Sequence, residues 1–400
     1  MEEQILYFGM EGGGERIIRA SDDGEIKFIR RFTYMKYDLD DWDSKEEPIS
    51  SFESYWSKFT GDPKWFRFCP VFIHEDIFTM VLESLQKIDL KSLSESEQSK
   101  IHEWVRVLME NKYKTDYEFK RICREHQSRY RFYDLQVWFD RNINVLLDED
   151  GKKGLNFYSG FEIFSSVKKR YPDFRKPLYC NLLRSEHIPF NFFIPLDNDK
   201  EFGKKVFNEI LGGIIDHITQ IIIEYSPQPK QKYLDDNTSF DTYIEYRHID
   251  GSNGILGIEV KYTELSYPLL DKSREQVKMY DLTSLYYTMS IRSGIFQQEN
   301  LTYLRNDDYR QIWRNHLLGE SILIVPESKF RHFHSLNFYP EGNIHIKEVI
   351  LQYQNFLKDE CRDRVQGITY EQFFRICQKH LPNEEFGKWL EYLERRYLTT

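Results

Sequence analysis

Apolar and polar side chains alternate through Glu25-Ile-Lys-Phe-Ile-Arg-Arg-Phe-Thr-Tyr34. That period of two predicts a β-strand, with turns before it at Gly12-Gly13-Gly14 and Asp22-Asp23-Gly24. Helical spacing follows near 74–88 and 95–111, and the second run opens with a capping box, Ser94 three residues before Glu97. Further on, the pattern predicts helices over 158–170 and 179–193 and a long one over 200–225. Two strand-like runs come next, Phe240–His248 and Ile255–Tyr262, joined by Ile249-Asp-Gly-Ser-Asn-Gly254. Asp-Gly and Asn-Gly between such runs predict a hairpin. Helices at 273–290 and 306–318, a short buried strand at 321–326 and a mostly helical tail complete the chain. The tail holds a second capping box, Thr369 to Gln372. The expected fold class is mixed α and β.

The 400 residues are 40% hydrophobic and 30% charged, which places the chain among soluble globular proteins of two or three domains. No apolar stretch is long enough for a bilayer helix, since 210–223 is interrupted by Asp216, His217 and Gln220. The start, with its short apolar run Ile5–Phe8, does not read as a signal peptide, so a cytoplasmic location is expected. Cys69, Cys123, Cys180, Cys361 and Cys377 form no Cys-x-x-Cys pair and read as free thiols, not zinc ligands. The net charge of −10 argues against coating nucleic acid by bulk charge. It is unevenly spread. Residues 1–115 carry 23 acids and 16 bases, a net of −7, and the remainder 42 and 39, a net of −3. Two domains are expected: an acidic, β-rich accessory domain at 1–115 and a second domain at 116–395.

Within the second domain, Glu259-Val-Lys261 sets a carboxylate and an ammonium two residues apart on a strand, hence on one face. Ile258 and Val260 point the other way, into a core. Asp241 lies near the outer end of the partner strand, and it shares that face if paired residue numbers sum to an even value. The expectation is that Asp241 pairs near Lys261 and that Thr242 is out of phase. Two carboxylates on neighbouring strands make a hard, oxygen-rich pocket suited to Mg²⁺. A nearby lysine can orient water and offset charge on a phosphorane. The Glu-x-Lys spacing alone is uninformative, because it recurs at Glu25-Ile-Lys27, Glu118-Phe-Lys120 and Glu327-Ser-Lys329. The hairpin and the partner-strand acid distinguish 259–261.

Ser239-Phe-Asp241 followed by Gly257-Ile-Glu-Val-Lys-Tyr-Thr-Glu264 resembles the core of the PD-(D/E)XK, or restriction-endonuclease-like, nucleases, and more particularly a bacterial group of them. The resemblance continues through Gly154-Leu-Asn-Phe157, Asn181–Phe193 and Gln311-Ile-Trp-Arg-Asn-His316, over residues 117 to 390. It implies a central mixed sheet flanked by helices. It further implies metal ligands at Asp241, Glu259 and the Val260 carbonyl, an extra acid at Glu186, and Lys261 as the catalytic lysine. Phe240 stands where the eponymous proline would be.

Gln311, Arg314 and Asn315 fall on one helix face, where relatives place groups near the scissile phosphate. Arg129 and Arg131, interleaved with aromatics, can track phosphates, although a basic helix packed on its own domain explains the stretch equally well. Glu264 and Glu245 read as surface or supporting acids, and Gln276 and Lys278 as minor candidates. No Walker loop and no Gly-x-Ser-x-Gly elbow is present. The expected activity is Mg²⁺-dependent hydrolysis of DNA, with Mn²⁺ able to substitute, in bacterial defence against phage or plasmid DNA. An RNA-directed nuclease and a catalytically silent binding module are the alternatives. The front domain is expected to serve a regulatory partner or a homo-oligomer.

Overall fold

The computed structural model describes four strands within the first 48 residues, Gln86, and residues 89–399 apart from 267. The chain divides into two compact units, one of Met1–Arg121 with Ser128–Ile143 and the other of Ile122–Gln127 with Asn144–Thr400.

In the first unit, β1 (Gln4–Gly9), β2 (Gly14–Ala20), β3 (Ile26–Phe32) and β4 (Asp43–Pro48) form an antiparallel meander in that order. The predicted strand at 25–34 is β3. The predicted helix at 74–88 and Cys69 lie outside the described residues. The helix expected at 95–111 is α1 (Glu95–Met109). Its capping box is formed: the Ser94 amide donates to Glu97 Oε2 at 2.8 Å and the Glu97 amide to Ser94 Oγ at 3.4 Å. Ile101, Val105 and Met109, spaced by four, are buried. The basic stretch forms α2 (Glu118–Arg129) and continues as a π-helical turn, Tyr130–Asp134.

The second unit is built on a five-stranded sheet, β5 (Ile215–Tyr225), β6 (Phe240–His248), β7 (Asn253–Val260), β8 (Phe330–Tyr339) and β9 (Val365–Thr369), in that spatial order. β5, β6 and β7 are antiparallel, while β7, β8 and β9 are parallel. Parallel neighbours need a crossover, and helices supply it between β7 and β8.

Helices cover both faces. Preceding the sheet are α3 (Ile163–Arg170), α4 (Ile188–Asn198) and α5 (Lys200–Leu211). Between β7 and β8 come α6 (Arg274–Tyr280), α7 (Leu285–Ser293) and α8 (Asp307–Ile324), and α9 (Ile344–Gln354) follows β8. The chain ends in α10 (Tyr370–His380) and α11 (Glu384–Tyr397). On one side Phe193 meets Phe207, Phe338 and Phe373. On the other, Trp313 of α8 is buried in a cluster with Phe240, Tyr243, Ile255 and Phe333. Both faces of β7 are therefore covered, and its residues from Gly254 to Val260 are all buried.

Several expected elements are corrected. The helix over 200–225 stops at Leu211, where Gly212 and Gly213 take φ of 76° and 84°, and a strand replaces the rest. Glycine in the left-handed region ends a helix, and the β-branched run Ile221–Ile223 suits an extended chain. The apolar stretch at 321–326 is not a strand. Its first four residues continue α8, because a short apolar run has no period to separate the two states. Helix at 158–170 begins only at Ile163, after left-handed Phe161 and Glu162. The run at 179–193 is a helical turn, Lys176–Cys180, followed by α4 with Pro189 in its first turn. The four described cysteines are buried.

The tail's capping box is present, with the Gln372 amide donating to Thr369 Oγ1 at 3.1 Å and the Thr369 amide to Gln372 Oε1 at 3.0 Å. Thr369→Ala is expected to cost about 1 kcal/mol of stability, read as a shifted urea midpoint at unchanged slope.

Candidate active site

The site forms where β5, β6 and β7 pass side by side. The pair Thr242↔Ile258 sets Asp241 level with Glu259, and the flanking pairs Ile223↔Thr242 and Tyr225↔Phe240 set Glu224 level with Asp241. Laterally aligned residues share a face, as Asp241 and Glu259 do, and Glu224, left-handed with φ 57°, brings a third carboxylate whose charge acts on Asp241. Asp241 Oδ2 accepts from the Val260 amide at 2.7 Å, which locks the end of the hairpin. The even pairing sum is as expected, and Thr242 is buried out of phase. Asp241 lies opposite Glu259, however, two residues short of the expected neighbour Lys261.

Glu259 is only 4% exposed, and each of its oxygens is held. Oε1 accepts from Lys261 Nζ at 2.6 Å and from Gln311 Nε2, and Oε2 accepts from Asn315 Nδ2. Lys261 also donates to Gln311 Oε1. Gln311 and Asn315, one turn apart on α8, thus fix both the carboxylate and the ammonium. The backbone of Lys261 is fixed as well. Its amide donates to the Phe338 carbonyl at 2.8 Å, and its carbonyl accepts from the Tyr370 hydroxyl at 2.6 Å. A cavity of about 20 Å³, room for one water molecule, is lined by Lys261, Gln311 and Asn337.

Electrostatically the row is strained. Burial, then the charges of Glu259 and Glu224, push the Asp241 carboxyl well above the ordinary range against the pull of Lys261 and the Val260 amide. Glu224 is pushed up to about 7, first by burial and then by Glu259, with Glu186 adding to it and Arg170 opposing. Lys261 stays a cation. Burial alone would weaken its ammonium, but Glu259, Glu264 and Asp241 outweigh that and raise its pKa.

Glu186 sits in the short turn Ser185–His187 leading into α4. It pairs with Arg184 at 2.6 Å and more distantly with Arg175 at 3.9 Å. Its buried Oε2 makes no hydrogen bond. Glu264 is no surface acid: it accepts from the Ser185 amide and hydroxyl at 3.1 and 2.9 Å and from the Tyr262 amide at 2.9 Å. It ties the Glu186 turn to the segment after β7. Arg314 does not join the Glu259 contacts. It binds Thr238 Oγ1 at 3.1 Å, Asp236 at 3.2 Å and Glu275, bracing the entry to β6. Glu245 pairs with Lys329, Lys278 with Asp235, and Gln276 accepts from the Lys272 amide near the start of α6.

Arg129 and Arg131 belong to the first unit. Arg131 is fully buried, donates to the carbonyls of Ile143 at 2.9 Å and Val137, and is pushed down to about 9 by burial. It follows the reading in which the basic stretch packs on its own domain, and it has no face open to a phosphate. Arg129 is exposed, with its guanidinium 5.5 Å from the Tyr133 ring centre.

The sequence reading missed Glu224, because its strand was taken for helix. The signal was present in Gly212-Gly213 followed by an isoleucine-rich run ending in Glu224-Tyr225. Chemically, the donor set fits a hard divalent cation. Repelling carboxyls with raised pKa values and an unbonded Glu186 oxygen are all relieved by positive charge among them.

A mixed sheet bearing an Asp–Glu–Lys set on adjoining strands describes the class of metal-dependent nucleases. A family profile, the PD-(D/E)XK nuclease superfamily, matches residues 114–399, and the chain belongs to that superfamily. Its members are generally metal-dependent nucleases. Searches of curated proteins and of solved structures found no match.

In the metal-free protein the folded state keeps a proton on Glu224 that the unfolded chain releases near pH 4.5. Stability should therefore fall as pH rises from 4.5 to about 7. Glu224→Gln is expected to flatten part of that slope, measured by urea unfolding across the range. An unchanged slope would place Glu224 outside the electrostatic reach of the other acids.

Proposed function

We propose that the protein is a Mg²⁺-dependent endonuclease hydrolysing DNA phosphodiester bonds, with Mn²⁺ as a substitute. One observation carries this reading: Asp241 and Glu259 stand level on paired strands while Lys261 Nζ lies 2.6 Å from the Glu259 carboxylate. Asp241, Glu259 and the Val260 carbonyl would hold the cation, with Glu186 and Glu224 as flanking acids. When bound, the cation polarises the scissile phosphate and lowers the pKa of a water. Lys261, cationic and oriented by Gln311, positions the attacking water and donates to a phosphate oxygen as charge develops on it. Asn315 and Gln311 keep the Glu259 carboxylate from rotating away. Substrate contacts within the second unit fall to Gln311, with Arg314 beside the entry to β6.

We propose a nuclease domain at 116–395, although residues 128–143 cluster with the first unit, and an acidic accessory domain at 1–115 for a regulatory partner or a second copy. We further propose a cytoplasmic role in bacterial defence against phage or plasmid DNA, of which the defence part rests on the family resemblance alone. No helix among the described residues is long and apolar enough to cross a membrane.

Cleavage of plasmid, single-stranded DNA and matched RNA in Mg²⁺ tests the proposal. Lys261→Ala and Asp241→Ala are each expected to lower the rate on the order of 10²- to 10⁴-fold with the fold intact. Wild-type rates in both would sink the site assignment. Cleavage of RNA alone would change the substrate, and no cleavage of any nucleic acid by the wild type would favour a silent binding module.

A further inference from the structure

Far from the carboxylate row, at the hairpin end of the same sheet, three side chains converge from separate segments. His248 closes β6, Asp250 lies in the turn, and His332 comes from the start of β8. One ligand atom of each lies within 4.8 Å of the other two. His248 Nδ1 is 3.0 Å from Asp250 Oδ1, and His332 Nε2 is 2.9 Å from Asp250 Oδ2. Ligands about 2.0 Å from a tetrahedral ion stand about 3.3 Å apart, a spacing that the three candidate atoms, all within 4.8 Å of one another, reach with small side-chain shifts.

The surroundings bear on the same three side chains. The two imidazoles stack, with ring centres 3.9 Å apart and planes 16° from parallel, and each turns a ring nitrogen toward Asp250. His248 Nδ1 also faces the Asp250 amide, which donates to it at 3.1 Å. That bond directs the Nδ1 lone pair into the turn, and an ion taking the lone pair would displace the amide. Asp250 is preset for the role, since its Oδ1 accepts from the Ser252 amide at 2.8 Å and hydroxyl at 2.6 Å. Gly254 makes the convergence possible: a Cβ there would meet the Tyr246 ring at 2.2 Å.

We propose that His248, Asp250 and His332 form a second cation site, selective for an imidazole-seeking transition ion such as Zn²⁺ and separate from the hydrolytic centre. Nitrogen ligands favour Zn²⁺ over Mg²⁺, and three protein ligands leave a position for water. Bound there, the ion would clamp the β6–β7 turn to β8.

The test titrates Zn²⁺ into the chelator-treated 400-residue chain in excess Mg²⁺, which keeps the hydrolytic carboxylates occupied. One equivalent is expected to bind, at least about tenfold more weakly in His248→Ala and His332→Ala, where a ligand is lost. Asp250→Asn keeps an acceptor for the Ser252 bonds and should weaken binding too, which separates ligand loss from misfolding. Asp241→Asn, at the hydrolytic site, and His217→Ala, at the isolated pair His217–Asp216, should retain the equivalent. Co²⁺ in place of Zn²⁺ should give visible absorption that His332→Ala abolishes. Retained Zn²⁺ affinity in the histidine variants, or no binding by wild type, overturns the proposal. Mg²⁺-dependent cleavage by His332→Ala reports separately on the nuclease reading.

Discussion

Placing Glu224, Asp241 and Glu259 level with one another across three strands forces negative charge into a largely buried strip of sheet, and the surrounding structure is arranged around that strip. Two like charges about 4 Å apart at an effective dielectric of about 20 repel by about 4 kcal/mol. Protons held on Asp241 and Glu224 are one answer, and Lys261 is another. The third is geometric: α8 supplies Gln311 and Asn315 to the Glu259 carboxylate, so the buried acid keeps its hydrogen bonds. None of these neutralises the row fully, which is why its donor set fits a divalent cation.

The scaffold explains why the row stays in place. β7 is buried on both faces, so slipping its register by one residue would exchange Glu259 for Ile258 or Val260 against α8. The Asp241 bond to the Val260 amide and the Lys261 bonds to Phe338 and Tyr370 pin the strand's end from three directions. At Gly257 a Cβ would lie 2.3 Å from the Phe240 ring, so the aromatic before Asp241 packs over the strand that carries Glu259. Phe240, where the family motif carries proline, is thus part of what holds the two strands in step.

What the sequence made legible was local. Asp-Gly and Asn-Gly announced the hairpin, alternation fixed which residues shared a face, and both capping boxes closed as spaced. Alternation sets parity but not register, which the turn decides, and Asp241 therefore came out opposite Glu259 instead of near Lys261. β5 was illegible because isoleucines serve a helix face and a buried strand alike, and with it went Glu224. Arg131 shows the same limit: an Arg-aromatic stretch has one composition whether it meets a phosphate or, as here, the carbonyls of its own fold.

The two ends of the sheet use different chemistry on shared strands. β6 carries Asp241 at one end and His248 at the other, and β8 sets Asn337 beside Glu259 while His332 starts the strand. Oxygen donors crowded by mutual repulsion suit a hard ion that neutralises them. Stacked imidazoles around one carboxylate suit an ion that prefers nitrogen. Strand length keeps the two apart. From Asp241 to His248 is seven residues at about 3.4 Å each, roughly 24 Å. Two unit charges that far apart interact by only about 0.7 kcal/mol at an effective dielectric of about 20, so each end keeps its own charge balance.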